Sequence, residues 1–148
     1  MPYVSRLFIK AGIAYLVLTF VVGAVLLSLE AAARPMPYVI EVEHGHAGFV
    51  GWLVNMVIGV AYWLLPGNRA RFPRTQGRYP ELLARFSFYS LNIGLALRLL
   101  GEPWFTFQPS AAGSALLYVA AFLQLLGIGA FAWIAWQRVF PPPLRPDI

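Results

Sequence analysis

An all-α integral membrane fold with four transmembrane helices is what this sequence predicts, and three observations predict it. Of 148 residues, 59% are hydrophobic and only 11% charged, with a mean hydropathy of +0.67, too few charges to cover a water-facing surface. The apolar residues gather into four runs of about 20 residues each, the length that crosses roughly 30 Å of hydrocarbon. None of the runs alternates as a barrel strand does, and a helix is then the way left to satisfy backbone groups in lipid.

The first run extends from about Ala11 to Leu29, behind Arg6 and Lys10. A basic start, an apolar core and the small residues of EAAAR also describe a signal peptide, but the run is longer than a usual signal core, and we read it as a retained helix. The second run spans about Ala47 to Leu65 and stops at Pro66, the third about Leu82 to Leu100, and the fourth about Ala112 to Trp136. Pro35 with Pro37, and the Pro141 to Pro143 run, act as breakers outside the spans. Gly12, Gly23, Gly127 and Gly129 are small residues at which helices can pack closely.

The basic residues orient the four spans. Arg6 and Lys10 precede the first; Arg69, Arg71, Arg74, Arg78 and Arg85 lie between the second and third; Arg138 and Arg145 follow the fourth. The other connections hold only Arg34, with Arg98 near the end of the third run. Both termini and the middle loop are therefore expected on the cytoplasmic side of an inner membrane. His44, His46, Glu41 and Glu43 then fall near the outer face. The net charge of +5 serves topology and contact with anionic lipid. It does not form the solvated basic face that nucleic acid requires.

With no cysteine in the chain, a disulfide framework, a thiolate metal site and a covalently attached haem are all excluded. The chemistry narrows to the only two histidines, His44 and His46, at the mouth of the second run. At i and i+2 on a helix they point about 200° apart, so they cannot close on one ion and each faces a different neighbour. The steps from His44 pass through Gly48, Gly51, Trp52, Asn55, Gly59 and Tyr62, small enough in places to admit a flat macrocycle. Those from His46 pass through Phe49, Val50, Leu53, Val57 and Val60, an apolar wall. Alternatives stay open here. A histidine at an interface is often only a hydrogen-bonding group, and Glu41 and Glu43 either orient an imidazole, hold a metal or quinone with the histidines, or form a solvated loop. Arg98 either binds an anionic group or pairs with Glu102 at i+4. Met36 or Met56 could supply a thioether ligand, and Tyr89 and Asn92 are read as interhelical hydrogen-bonding groups.

The string HGHAGFVGWLVNMVIGVAYWLLP resembles the haem-binding helix of haem-copper oxidase and nitric oxide reductase catalytic subunits, in which an H-x-H pair opens a helix closing on Gly, an aromatic, Trp and Pro. His46 and Pro66 keep that family's spacing, and Trp63 matches its tryptophan. LNIGLALRLLGEP is similar to the helix that follows in the family. The resemblance implies b-type haem, bound without covalent attachment, with His44 and His46 as axial ligands on opposite faces and Gly48, Trp52, Asn55 and Arg98 around it. The family's fold is three four-helix arcs around haem-bearing pores, and this chain is similar to one arc. A homotrimer is therefore implied ahead of a dimer, with His44 of one copy and His46 of the next meeting on one iron. The family's copper site needs further histidines that this chain does not contain. Electron transfer or gas binding is thus expected in place of oxygen or nitric oxide reduction. The alternative from another class is a haem-free scaffold or assembly subunit that keeps the pattern for packing.

Overall fold

The computed structural model describes residues 1–139 and is all-helical among them. The Pro141 to Pro143 run and Arg145 lie outside the described residues. Four long helices follow one another: α1 (Tyr3–Ala31), α2 (Tyr38–Leu64), α3 (Glu81–Phe107) and α4 (Ala111–Val139). Each contacts mainly its neighbour in the chain, α1 on α2, α2 on α3 and most extensively α3 on α4.

All four helices start earlier than the apolar runs or end later. Arg6 and Lys10 lie on α1 and not ahead of it, because Val4, Ser5 and Phe8 of the same turns enter the core. His44 and His46 lie inside α2, a turn or more past its start at Tyr38. Helix α3 runs past Leu100 and carries Pro103 within it.

By length and apolarity α1, α2 and α4 qualify as membrane spans. Helix α3 is as long, but Glu81, Arg85, Arg98 and Glu102 dilute it. Its charges are paired along its own surface, Arg85 with Glu81 at 2.6 Å and Arg98 with Glu102 at 2.9 Å. The outer faces of the other three are apolar: Phe20, Leu27, Phe49, Val57, Phe122 and Leu125 are all exposed. Helices apolar on their outer face as well as their inner one belong in lipid.

The core sits toward one end of the bundle. Phe8, Ile58, Tyr62, Tyr79, Ala84, Leu91 and Ile134 are buried there together, with the Tyr62 ring 4.8 Å from that of Tyr79 and 5.5 Å from that of Phe131. The 65–80 connection folds over this end. Leu65 precedes a proline and is extended (φ −59°, ψ 137°), as the proline ring requires, so α2 stops. The carbonyls left open at Tyr62, Leu65 and Pro66 are taken by Arg138 of α4, from Nη1 at 3.2 Å to Tyr62, from Nε at 3.1 Å to Pro66 and from Nη2 to Leu65. Arg138, which the sequence offers as a topology signal, is also a buried cap on a neighbouring helix end. Its guanidinium also lies 5.5 Å from the Tyr79 ring centre. Burial pushes the Tyr79 hydroxyl above its ordinary pKa, so the ring presents a neutral π face. Arg69, Arg71, Arg74 and Arg78 remain exposed around the connection.

Small residues set the closest helix approach. A Cβ on Gly127 of α4 would lie 2.6 Å from the backbone nitrogen of Leu91 in α3, and Ser87 Oγ donates to the Gly127 carbonyl at 2.7 Å. Gly127→Val is expected to force α3 and α4 apart at a cost of about 1–3 kcal/mol, read as earlier unfolding in a detergent titration followed by circular dichroism. Gly12 and Gly23 also lie at contacts, against Met56 and His44, whereas Gly129 faces open space and has no packing role here.

Candidate functional site

At the end of the bundle opposite Arg138, α2 changes its hydrogen-bonding pattern. Residues Tyr38–His46 are α-helical, Ala47–Val54 form a π-helix, and Asn55–Leu64 return to α. Such widened turns are rare and cluster at functional sites. The widened stretch begins directly after His46. Asn55 marks its other boundary: its Nδ2 donates to the carbonyls of Val50 (3.1 Å) and Gly51 (2.9 Å), and its Oδ1 accepts from Asn92 Nδ2 of α3 at 3.0 Å. Asn55 is fully buried.

The widened turns redistribute the face that regular helical spacing assigned to His44. Gly48, Gly51 and Gly59 face α1, where a Cβ would lie 3.2 Å from Thr19, 2.5 Å from Tyr15 and 2.8 Å from Ile9 respectively. The small-residue stripe is therefore occupied by α1 side chains along most of its length. Asn55 turns to α3, Trp52 is partly exposed, and Tyr62 is in the core. Of the interhelical hydrogen-bonding pair expected on α3, Asn92 makes its bond and Tyr89 is exposed, with its ring against Phe88.

The two imidazoles leave α2 toward different neighbours. His44 lies against α1: its Cε1 would be 3.0 Å and its Nε2 3.5 Å from a Cβ on Gly23. Its Nδ1 is buried with no hydrogen-bond partner. The ring borders a groove of about 340 Å³ lined by Thr19, Phe20, Gly23, Ala24 and Leu27, and a second of about 190 Å³ that reaches Leu99 and Pro103. His46 has its Nδ1 3.0 Å from the Val42 carbonyl. A carbonyl only accepts, so Nδ1 carries the proton and the neutral ring keeps its lone pair on Nε2.

Beside His46 lies a charge cluster that joins α2 to α3. Glu43 is buried, at 6% exposure, and its Oε1 stands 3.5 Å from His46 Nδ1 and 3.8 Å from Arg98 Nε. Arg98 Nη2 holds Glu102 Oε2 at 2.9 Å. Neither oxygen of Glu43, nor Arg98 Nε, has a hydrogen bond of normal geometry. The solvated-loop reading of Glu43 is thus overturned, because its helix turns it inward onto Arg98; Glu41 is exposed as that reading expects. Of the two roles open to Arg98, the pairing with Glu102 is formed.

Met56, a candidate thioether ligand, lies away from the histidines. Met56 packs on Gly12 of α1, ten residues and about 15 Å of helix away from His46. Among the described residues no group of three or more His, Cys, Asp or Glu side chains converges on one point.

No family model, curated protein or solved structure matches this chain. What the site offers is two imidazoles on separate sides of one membrane helix, one with its free nitrogen defined, and a buried carboxylate beside it.

Proposed function

We propose that this chain is a four-span, b-type haem protein of the cytoplasmic membrane, and that His44 and His46 supply axial nitrogens to haem held between neighbouring copies. The observation that carries this reading is the His46 hydrogen bond. With Nδ1 committed to the Val42 carbonyl, Nε2 is the free donor, the arrangement that ligand histidines use to fix ring and tautomer. The donor set fits the group: two neutral-capable imidazoles, no thiol, and an orphaned buried nitrogen on His44.

Because the two rings face different neighbours, both axial positions of one iron are most simply filled by His44 of one copy and His46 of the next. A threefold ring gives each copy two such borders, one haem per chain. Haem with two imidazole ligands supplies one-electron transfer at the iron, and binds gas only where one position opens. The residues of this chain then have distinct tasks. His44 and His46 hold the iron, Gly23 gives the His44 ring room, and Trp52 with the exposed Phe49 and Leu53 lines the lipid-side approach. Arg98, with Glu102, keeps charge at the depth of His46. The arginines of the 65–80 connection favour placing that end in the cytoplasm and the histidines toward the outer face.

A second reading is favoured by one observation. The contacts of Gly48, Gly51 and Gly59 with α1 explain most of the glycine pattern by packing alone, which is what a haem-free scaffold subunit would need. Haem content and native mass separate the two. Protein purified in mild detergent after haem-supplemented expression is expected to give about one pyridine haemochrome per chain and the mass of a trimer. A haem-free protein supports the scaffold, and one haem per two chains in a dimer replaces the ring.

A further inference from the structure

We propose that the cavity at the first turn of α1 is a seat for the phosphate of an anionic phospholipid, held by Arg74 and Arg78. The cavity encloses about 480 Å³ and lies between the start of α1, at Tyr3 and Val4, and the connection ahead of α3, at Arg74, Arg78 and Glu81. A tight turn brings the two arginines to it. Pro73–Thr75 form a single 3₁₀ turn, and Gln76 and Gly77 follow at φ 54° and 89°, so the chain reverses between Arg74 and Arg78 and both line the same cavity. The reversal is pinned from several sides. The Gly77 nitrogen donates to the Phe72 carbonyl at 2.8 Å, the Gly77 carbonyl accepts from the Asn68 nitrogen at 2.7 Å, and a Cβ on Gly77 would lie 2.9 Å from the Arg69 nitrogen. Phe72 and Tyr79, on either side of the turn, are buried. A fixed loop thus presents the two guanidinium groups, which leaves little backbone to order when a ligand binds.

The charges around the cavity do not cancel. Glu81 is the one acid in its lining, and Arg85 already takes that carboxylate at 2.6 Å, with its guanidinium 5.1 Å from the centre of the Tyr3 ring. Among the described residues no carboxylate pairs with Arg74 or Arg78. Two unpaired guanidinium groups on one wall call for an anion, and their planar fork matches phosphate oxygens. Position decides the source of the phosphate. Helix α1 is long and apolar enough to cross a membrane, so a cavity at its first turn lies at the level of lipid headgroups. From there the Glu81 and Arg85 face of α3 continues at i+4 steps into Tyr89 and Ile93, both exposed, an apolar track for acyl chains. A free phosphate ion would use the arginines and leave that track bare. Contact with anionic lipid, expected of every arginine in the connection, is thereby concentrated on two of them. Neither haem nor the histidines take part.

The test is lipid binding by the full-length protein in an uncharged detergent, with phosphatidylglycerol and phosphatidylcholine in competition and the lipid held per chain counted by native mass spectrometry. Wild type is compared with Arg74→Gln/Arg78→Gln and with Arg69→Gln/Arg71→Gln, which removes the same charge from residues outside the cavity lining. Wild type is expected to prefer phosphatidylglycerol by at least about tenfold, the size that two arginines beside anionic lipid supply. The preference is expected to fall to near parity in Arg74→Gln/Arg78→Gln and to persist in Arg69→Gln/Arg71→Gln. Equal losses in the two double variants would mean diffuse surface charge and overturn the seat, as would a wild type with no preference. Displacement of the lipid by excess inorganic phosphate would assign the cavity to free phosphate and overturn the lipid as its occupant. If Arg74→Gln/Arg78→Gln does not assemble, each single substitution is expected to lose part of the preference, and single variants that keep all of it overturn the proposal equally.

Discussion

Arg138→Ala is expected to destabilise the protein by about 3–5 kcal/mol, because three carbonyls lose their donor at once and each orphaned acceptor costs on the order of 1–3 kcal/mol. The size follows from how many acceptors depend on one side chain. The Tyr62, Leu65 and Pro66 carbonyls all receive Arg138, and Pro66 prevents α2 from closing another turn to satisfy them. The Tyr79 ring loses its cation in the same substitution. Arg138→Lys brings one ammonium in place of a planar fork and is expected to recover only part of the loss. Unfolding in a mixed-detergent titration measures both. An alanine variant within 1 kcal/mol of wild type would show that water satisfies this end of α2.

Asn55→Leu is expected to cost about 2–4 kcal/mol, and its effect should extend beyond stability. One amide currently serves two carbonyls on α2 and an amide on α3. Leucine keeps the volume but leaves Asn92 and the widened turn without their partner, each orphaned group costing about 1–3 kcal/mol. The π-helical stretch lies between Asn55 and His46, so a return to regular helix rotates the histidines relative to α1 and α3. Hydrogen exchange on Ala47–Val54 is expected to rise in Asn55→Leu and to stay unchanged in Arg138→Ala, whose contacts lie at the far end.

The helices were legible because lipid imposes a simple rule, that an apolar run of sufficient length is a helix, and α1, α2 and α4 obey it. Their ends were less so. Val4 and Phe8 belong to the core on the strength of contacts with α2 and α3, which no window over Arg6 and Lys10 reveals. The histidine pair was legible as two diverging rings from spacing alone. Burial of Glu43 was not, since it depends on Arg98, which lies far along the chain and comes alongside only when α2 and α3 run antiparallel. A signal was present: an acid one turn before His46, and a base on the neighbouring helix at matching depth. The π-helical turn was hidden for the same reason, because Asn92 of α3 and the side chains of α1 hold it.

The most direct measurement is the visible spectrum of the detergent-purified protein, oxidised and dithionite-reduced, for wild type, His44→Ala and His46→Ala. A sharp reduced α band of a six-coordinate b haem is expected in wild type, lost or converted to high spin in both variants. A colourless wild type, or a six-coordinate band that survives either substitution, would contradict it.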